Sequence, residues 1–295
     1  FKSSKNEYSV KSGYPPTWEA NSLFEKLFFN VRDFVWSFKV EKALQNLKLF
    51  DYDIYHFEWG LDFYRDANFA IRLKKLEKKI ICTYHGQDMR TRGVIKNIDN
   101  ISDLNLSSEL DLLSKHPKLK YMFLPISISS ELSYKKTGKK IKICHSPTDR
   151  YYKGSNHIIE VCKRLEKDSP YVEFKLIENM SHHEVIKIKK TCDILIDQIG
   201  DSGGWGYGMN SVESMKLGLC CMSEMNAACN KFFEDHPFVN INKYNLESRL
   251  RKLIDNPLLI DQHKQKSIDW VKKKHSVESV GKHLYENYNR ILSGA

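Results

Sequence analysis

From residue 22 to about residue 49 the apolar positions Phe24, Phe28, Val31, Val35 and Phe38 recur every three or four residues, the spacing of one helix face. The expected place for that face is against the sheet of its own domain. Its aromatic richness also permits a membrane-docking surface. The first 21 residues are polar, carry Gly13 and Pro15-Pro16, and read as an exposed arm. Beyond residue 50 the pattern changes to short apolar runs separated by helical stretches. DIYHF (53–57) is followed by a helix through 67–78, KIICTYH (79–85), a helix around 103–115 and KYMFLP (120–125). A polar, lysine-rich stretch over 127–140 reads as a linker. The series then resumes with IKICHS (141–146), a helix over 155–167, VEFKLI (172–177), a helix over 182–190 and CDILID (192–197). After a glycine-rich loop come a short helix to Leu217, the strand LCCMS (219–223) and helices that finish the chain. Such alternation predicts α/β architecture with two doubly wound parallel sheets, one in residues 1–137 and one in 138–295.

Composition supports that reading and removes others. At 295 residues, with 41% hydrophobic and 28% charged side chains, the chain can bury a sizeable core, which excludes a disordered tail or a disulfide-stapled miniprotein. No run approaches 18 apolar residues and FKSSKNEYSV has no export-signal pattern, so a soluble, cytoplasmic protein is expected. An opening on Phe1 leaves room for natural residues before it. The seven cysteines are odd in number, lack C-x-x-C spacing and sit in apolar runs, so they read as buried thiols. With the His182-His183 pair they offer no zinc-ligand spacing, and no metal site is expected. The net charge of +10 is spread evenly, at +5 in each half, which argues against a nucleic-acid surface and leaves an anionic substrate or an acidic membrane face.

In open parallel sheets ligands bind beyond the carboxyl ends of the strands, so the informative residues should follow each strand. The segment GGWGYGMNSVESMKLG (203–218) places Gly204, Gly206 and Gly208 before a helix expected to start near Asn210, whose free N–H groups suit a phosphate. Asn210 with Glu213 also fits a capping box, an alternative use for that carboxylate. HSPTDRYYKGSN (145–156) presents Arg150 and Lys153 just after a strand, two cations suited to a diphosphate.

On these residues the C-terminal half resembles family 4-type glycosyltransferases of GT-B architecture, in which two Rossmann-like domains face each other across a substrate cleft. The family's Glu, seven residues, Glu pattern aligns with WGYGMNSVE (205–213). Its second Glu, which holds the nucleotide ribose, falls on Glu213; its first falls on Trp205, a departure at the donor-sugar contact. The resemblance implies that Arg150 and Lys153 grip the diphosphate without metal. It gives the phosphates to the segment Gly206, Tyr207, Gly208, Met209, Asn210 and Ser211, and the base to the loop carrying Asn179 and His182. In the N-terminal half it places His85 at the sugar or acceptor side, as a catalytic candidate, with Asp88, His56 and Arg90 near the acceptor. An earlier strand and glycine-rich loop usual in that domain have no counterpart. The final helices, over about 261–291, are expected to return toward the first domain.

The implied activity is sugar transfer from a nucleotide diphosphate donor to an acceptor hydroxyl, with retention, no cofactor beyond that co-substrate, and no nucleic acid. The acceptor is a glycan, a lipid-linked glycan or a protein, and contact with the inner face of a membrane fits. Two other readings compete. One is a catalytically silent subunit that binds nucleotide sugar or glycan, prompted by Trp205; the other is a nucleotide-sugar epimerase or phosphorylase of the same architecture.

Overall fold

The computed structural model describes residues 22–64, 66–91, 93–128 and 132–294, together with the backbone of two short antiparallel strands, β1 (Lys2–Ser3) and β2 (Val10–Lys11). Apart from those strands, the arm expected over 1–21 lies outside the described residues. The chain divides into two compact units. One runs to Met122 and resumes at Leu284; the other spans Phe123–His283.

The first unit begins with α1 (Leu23–Asn46), started by Ser22, whose hydroxyl caps the Glu25 N–H at 3.1 Å. Four parallel strands follow, β3 (Ile54–Glu58), β4 (Lys79–Tyr84), β5 (Leu104–Ser107) and β6 (Leu119–Tyr121), paired in chain order. Between them lie α2 (Asn68–Lys75), α3 (Gln87–Thr91), α4 (Lys96–Asp99) and α5 (Leu110–Leu113). The core gathers Phe57, Phe69, Leu73, Ile80, Tyr84 and Leu112.

Two sequence expectations fail here. The helix expected over 103–115 is the strand β5 followed by the single turn of α5. All four residues of β5 are buried, and each polar one finds a partner for its donor: the Asn105 amide donates to Asp99 at 3.0 Å and the Ser107 hydroxyl to the Tyr84 carbonyl at 2.8 Å, while the Asn105 side-chain oxygen is left without one among the described residues. The second failure is α1. Phe24, Phe28, Val31, Val35 and Phe38, expected against the sheet, are all exposed; the helix is anchored instead by Val40 and Leu44.

The second unit holds β7 (Ile141–His145), α6 (Arg150–Lys153), α7 (Ser155–Asp168), β8 (Val172–Leu176), α8 (His182–Lys189) and β9 (Ile194–Ile196). It continues with α9 (Met209–Lys216), β10 (Cys220–Ser223), α10 (Ala227–Phe232), β11 (Val239–Asn240), α11 (Leu246–Asp255) and α12 (Pro257–His275). The all-parallel order β11-β10-β9-β7-β8 reverses direction between β7 and β9, the crevice where such sheets bind ligands. Ile143, Ile158, Val161, Ile194, Ile196 and Met222 centre its core. The seven cysteines are all free and buried. A second buried cluster surrounds His275, whose Nδ1 meets the Leu124 carbonyl at 2.7 Å and whose Nε2 meets the Tyr207 hydroxyl at 3.2 Å, with Phe123 and Trp270 against its ring. Burial pushes this imidazole down to about 4.

The last helix, α13 (Val277–Ser293), passes from one unit into the other. From Leu284 on, its side chains Leu284, Tyr288 and Ile291 pack on Ile81, Leu104 and Leu106 of the first unit.

Candidate functional site

The loops after β7 and β8 and the start of α9 enclose a pocket of about 260 Å³. Its lining includes Ser146, Pro147, Ile177, Asn179, Met180, His182, Val185, Lys189, Met209, Asn210 and Glu213. The volume lies just below the ~300–1,000 Å³ of whole small-molecule sites, which suits one moiety of a larger ligand. Pro147, Met180, Val185 and Met209 give apolar walls, and Asn210 and Glu213 give polar groups. A larger groove, about 1070 Å³, runs between α1 and the loop that joins β3 to α2, past Val31, Trp36 and Phe63. We take the smaller pocket as the site, because it combines convergent polar groups with the sheet's reversal point.

Local sequence fixes each part. Asp149 caps α6, accepting from the Tyr151 N–H at 2.8 Å. Gly154, at φ +62°, lets the chain turn from α6 into α7 where a Cβ would collide with the Ile199 carbonyl. Arg150 reaches across to Glu178 through two hydrogen bonds of 2.7 and 2.6 Å, and its side chain stays 53% exposed. The Arg150 hydrogen bonds and charge hold the Glu178 carboxyl below its usual range. Lys153 is placed differently, its side chain largely withdrawn from solvent and donating to Asp197 Oδ1 at 2.8 Å and to the side-chain oxygen of Gln198 at 2.9 Å. Burial alone would raise the Asp197 carboxyl; Lys153, Ser211 and Asn210 outweigh it and hold the group at about 2.

The capping box expected from Asn210 and Glu213 is not formed. The helix α9 starts one residue earlier, with Gly208 at its N-cap, so Asn210 lies inside the first turn. Its carbonyl oxygen Oδ1 accepts from Lys189 at 2.5 Å and from Ser146 at 2.8 Å, while its Nδ2 donates to Asp197 at 3.0 Å. Glu213 is instead held by His182 Nε2 at 2.8 Å and lies 3.8 Å from Lys189 Nζ. His182 opens α8 beside the capping box of Ser181 and Glu184.

Of the residues picked from sequence, Asn179, His182, Met209, Asn210 and Glu213 thus surround one pocket, with Arg150 at its rim through Glu178. Gly206, Tyr207 and Gly208 lie on the approach to α9, and Ser211 lies in its first turn. The Tyr207 ring is buried toward His275 and the Ser211 hydroxyl donates to Asp197 at 2.6 Å, so these two present only backbone. Lys189 escaped sequence reading, although the i, i+3, i+7 spacing of His182, Val185 and Lys189 marks one helix face.

In the first unit, the carboxyl ends of β3 and β4 present an exposed pair: His85 Nε2 donates to Glu58 Oε2 at 2.5 Å. The Glu58 bond raises the imidazole, and the same bond lowers the carboxyl. Asp88 is spent on the His85 N–H at 3.1 Å. Arg90 is clamped by Glu109 at 2.6 Å and Asp111 at 2.5 Å. His56 lies between the Tyr288 hydroxyl, at 3.0 Å, and Thr83 Oγ1, and burial lowers its imidazole. Glu58 is the residue that sequence reading passed over here. Among the described residues no group of three or more His, Cys, Asp or Glu is arranged to hold a metal ion, and no helix is long and apolar enough to cross a membrane.

Neither a family model nor a curated protein sequence matches the chain. Solved structures do. Sucrose-phosphate synthase from Thermosynechococcus elongatus superposes with a TM-score of 0.60 at 12% identity, over 96% of this chain and 83% of that one. HepE from Anabaena, solved with UDP and glucose, gives 0.58 at 11% identity over 85% and 80%. A UDP-N-acetylglucosamine 2-epimerase-like protein from Listeria monocytogenes gives 0.53 at 10% identity over 88% and 80%. At such identities the likeness establishes the fold: two parallel-sheet α/β units of the GT-B kind.

Proposed function

We propose that the chain is a glycosyltransferase that moves a sugar from a nucleoside diphosphate donor to an acceptor hydroxyl. The observation that carries this reading is the pocket at the reversal point of the second sheet, with apolar walls, Glu213 inside it and Arg150 at its rim. Pro147, Met180 and Val185 would receive the base and Glu213 the ribose. The exposed Arg150 exchanges Glu178 for the diphosphate, a charge-for-charge swap that needs no metal. Backbone N–H groups from Gly206 to Asn210 complete the anion site. HepE was solved with UDP and glucose in the same fold, which supports the donor class. With Arg150 holding the departing diphosphate, that group takes the proton of the incoming hydroxyl, and the anomeric configuration is retained. His85 and Glu58 serve the sugar or the acceptor.

Calorimetric titration with UDP, GDP and ADP, followed by NMR of the anomeric proton in the product, tests this. Selective binding of one nucleotide and a retained product support it. Donor conversion without an acceptor would point to the epimerase reading. Nucleotide binding with no turnover would make the chain a silent binding subunit, the reading that Trp205 favours.

The exposed side of α1 supports a place of work on the cytoplasmic face of an anionic membrane. Leu23, Phe24, Leu27, Phe28, Val31, Phe34, Val35 and Phe38 are each more than half exposed. Lys26, Lys39 and Lys42 on the same helix have no carboxylate partner among the described residues, whereas Glu41 is neutralised by Arg72 at 2.5 Å. Apolar side chains beside unpaired cations complement an acidic bilayer surface. Flotation with phosphatidylglycerol vesicles should carry the protein, and Phe24→Ser/Phe28→Ser/Phe34→Ser should abolish it. Dimerisation lost in that variant, without flotation of the parent, would assign the face to a second copy.

A further inference from the structure

Lys189 is 1% exposed, yet its ammonium reaches the wall of the nucleotide pocket. A buried ammonium needs compensation for its lost hydration, and its three N–H groups find it in one place. They donate to Asn210 Oδ1 at 2.5 Å and to the Asn210 carbonyl at 3.3 Å, and the ammonium forms an ion pair with Glu213 Oε2 at 3.8 Å. His182 approaches the other Glu213 oxygen at 2.8 Å. Glu213 therefore has a hydrogen-bond partner on one oxygen and a cation beside the other. A carboxylate offers about four acceptor positions, so with His182 on one of them enough remain to receive two hydroxyls. Two acceptors side by side match a vicinal diol.

We propose that Lys189 is a positioning residue that fixes Glu213 and Asn210 so that the pocket selects a ribonucleotide over its 2′-deoxy counterpart. This rests on the nucleoside reading of the pocket given above. Lys189 touches no ligand itself. It acts by fixing the carboxylate's rotamer: without it Glu213 keeps only the His182 contact on one oxygen, and its aim at the diol is lost. The same ammonium locks Asn210 at the first turn of α9, which couples the floor of the pocket to the phosphate end.

The test is calorimetric titration of the full chain with UDP, GDP and ADP, then with the 2′-deoxy form of whichever binds. The wild type should prefer the ribonucleotide by about tenfold or more, the worth of one hydrogen bond to a charged group. Lys189→Gln should bring the two affinities to within roughly twofold while the deoxynucleotide still binds, since only the diol contact depends on the lysine. Glu213→Gln should do the same, and the double variant should lose nothing further. If Lys189→Gln does not fold, Lys189→Arg, which keeps the charge but displaces it, must lower the ratio. A Lys189 variant that weakens both nucleotides equally, with the ratio intact, reduces the lysine to a structural role and overturns the proposal. A wild type that binds both forms equally also overturns it, while leaving the nucleoside reading standing. A wild type that binds none of the three removes that reading itself.

Discussion

Both units set charged side chains beyond the carboxyl ends of parallel strands, but they treat them in opposite ways. In the second unit Lys153, Asp197, Asn210, Ser211 and Lys189 interlock below the surface, and Asp197 has no exposure at all. In the first unit Glu58 and His85 form an open pair with side chains 64% and 43% exposed. Arg150 and Lys153 repeat the contrast three residues apart, one solvated and one sealed. The sealed set gives a ligand a rigid floor whose geometry is already assembled, so little ordering is left for binding to impose. The open set can change partners. Charge type read from sequence does not separate these two uses; burial does.

Removing the sealed cation should have the largest effect. Lys153→Met leaves the buried Asp197 carboxylate unpaired and should cost about 3–5 kcal/mol in urea unfolding, so loss of activity there follows loss of fold. A stable variant would show that the network is looser than its geometry implies. Next comes His275. Its imidazole is held at about 4, against ~6.5 in an unfolded chain, so the unfolded state binds the extra proton first as pH falls. Stability is complete above pH ~6.5 and declines toward pH ~4, by about 3 kcal/mol in all. Urea midpoints at pH 7 and pH 5 should show this decline in the wild type and a flatter response in His275→Phe.

Arg150→Ala should leave the unfolding midpoint nearly unchanged, because an exposed pair contributes little. It should nonetheless weaken nucleoside diphosphate binding about tenfold or more, as loss of a charged hydrogen bond does. Equal stability losses in the Arg150 and Lys153 variants would erase the contrast between them. The smallest effect belongs to the open pair. In Glu58→Gln the His85 imidazole loses the bond that raises it, so its NMR titration should move to lower pH, with Asp88 and Glu109 nearby keeping part of the elevation. An unmoved titration would mean that the pair does not form in solution.

Much of this was legible in the sequence where apolar runs are strong. The strands β7, β9 and β10 are bracketed by loops and rich in Ile, Leu and Cys, and their positions came out within a residue or two. β5 did not, because LNLS offers only two apolar residues in four, and its buried Asn and Ser depend on partners outside the strand. The period of α1 was readable, but periodicity defines a face without saying what covers it. Glycines and cations after strands pointed to the loops around this pocket. The roles inside it were less visible. A lysine in the run KIKK reads as solvated, and only the fold brings Lys189 to Glu213. A two-residue shift in the N-cap of α9, from Asn210 to Gly208, was enough to turn Glu213 from a cap into a pocket wall.

The segment from Leu284 onward has a consequence for the order of events on the ribosome. Ile81, Leu104 and Leu106 have only Ile54 and Met122 against them until Leu284, Tyr288 and Ile291 arrive, and the whole of Phe123–His283 must be translated in between. At bacterial or eukaryotic elongation speeds of ~5–20 residues per second, that is a wait of roughly ten to thirty seconds. During it the nascent first unit presents a sticky sheet face. The early-synthesised half therefore keeps apolar surface open longest, even though it is the first to emerge.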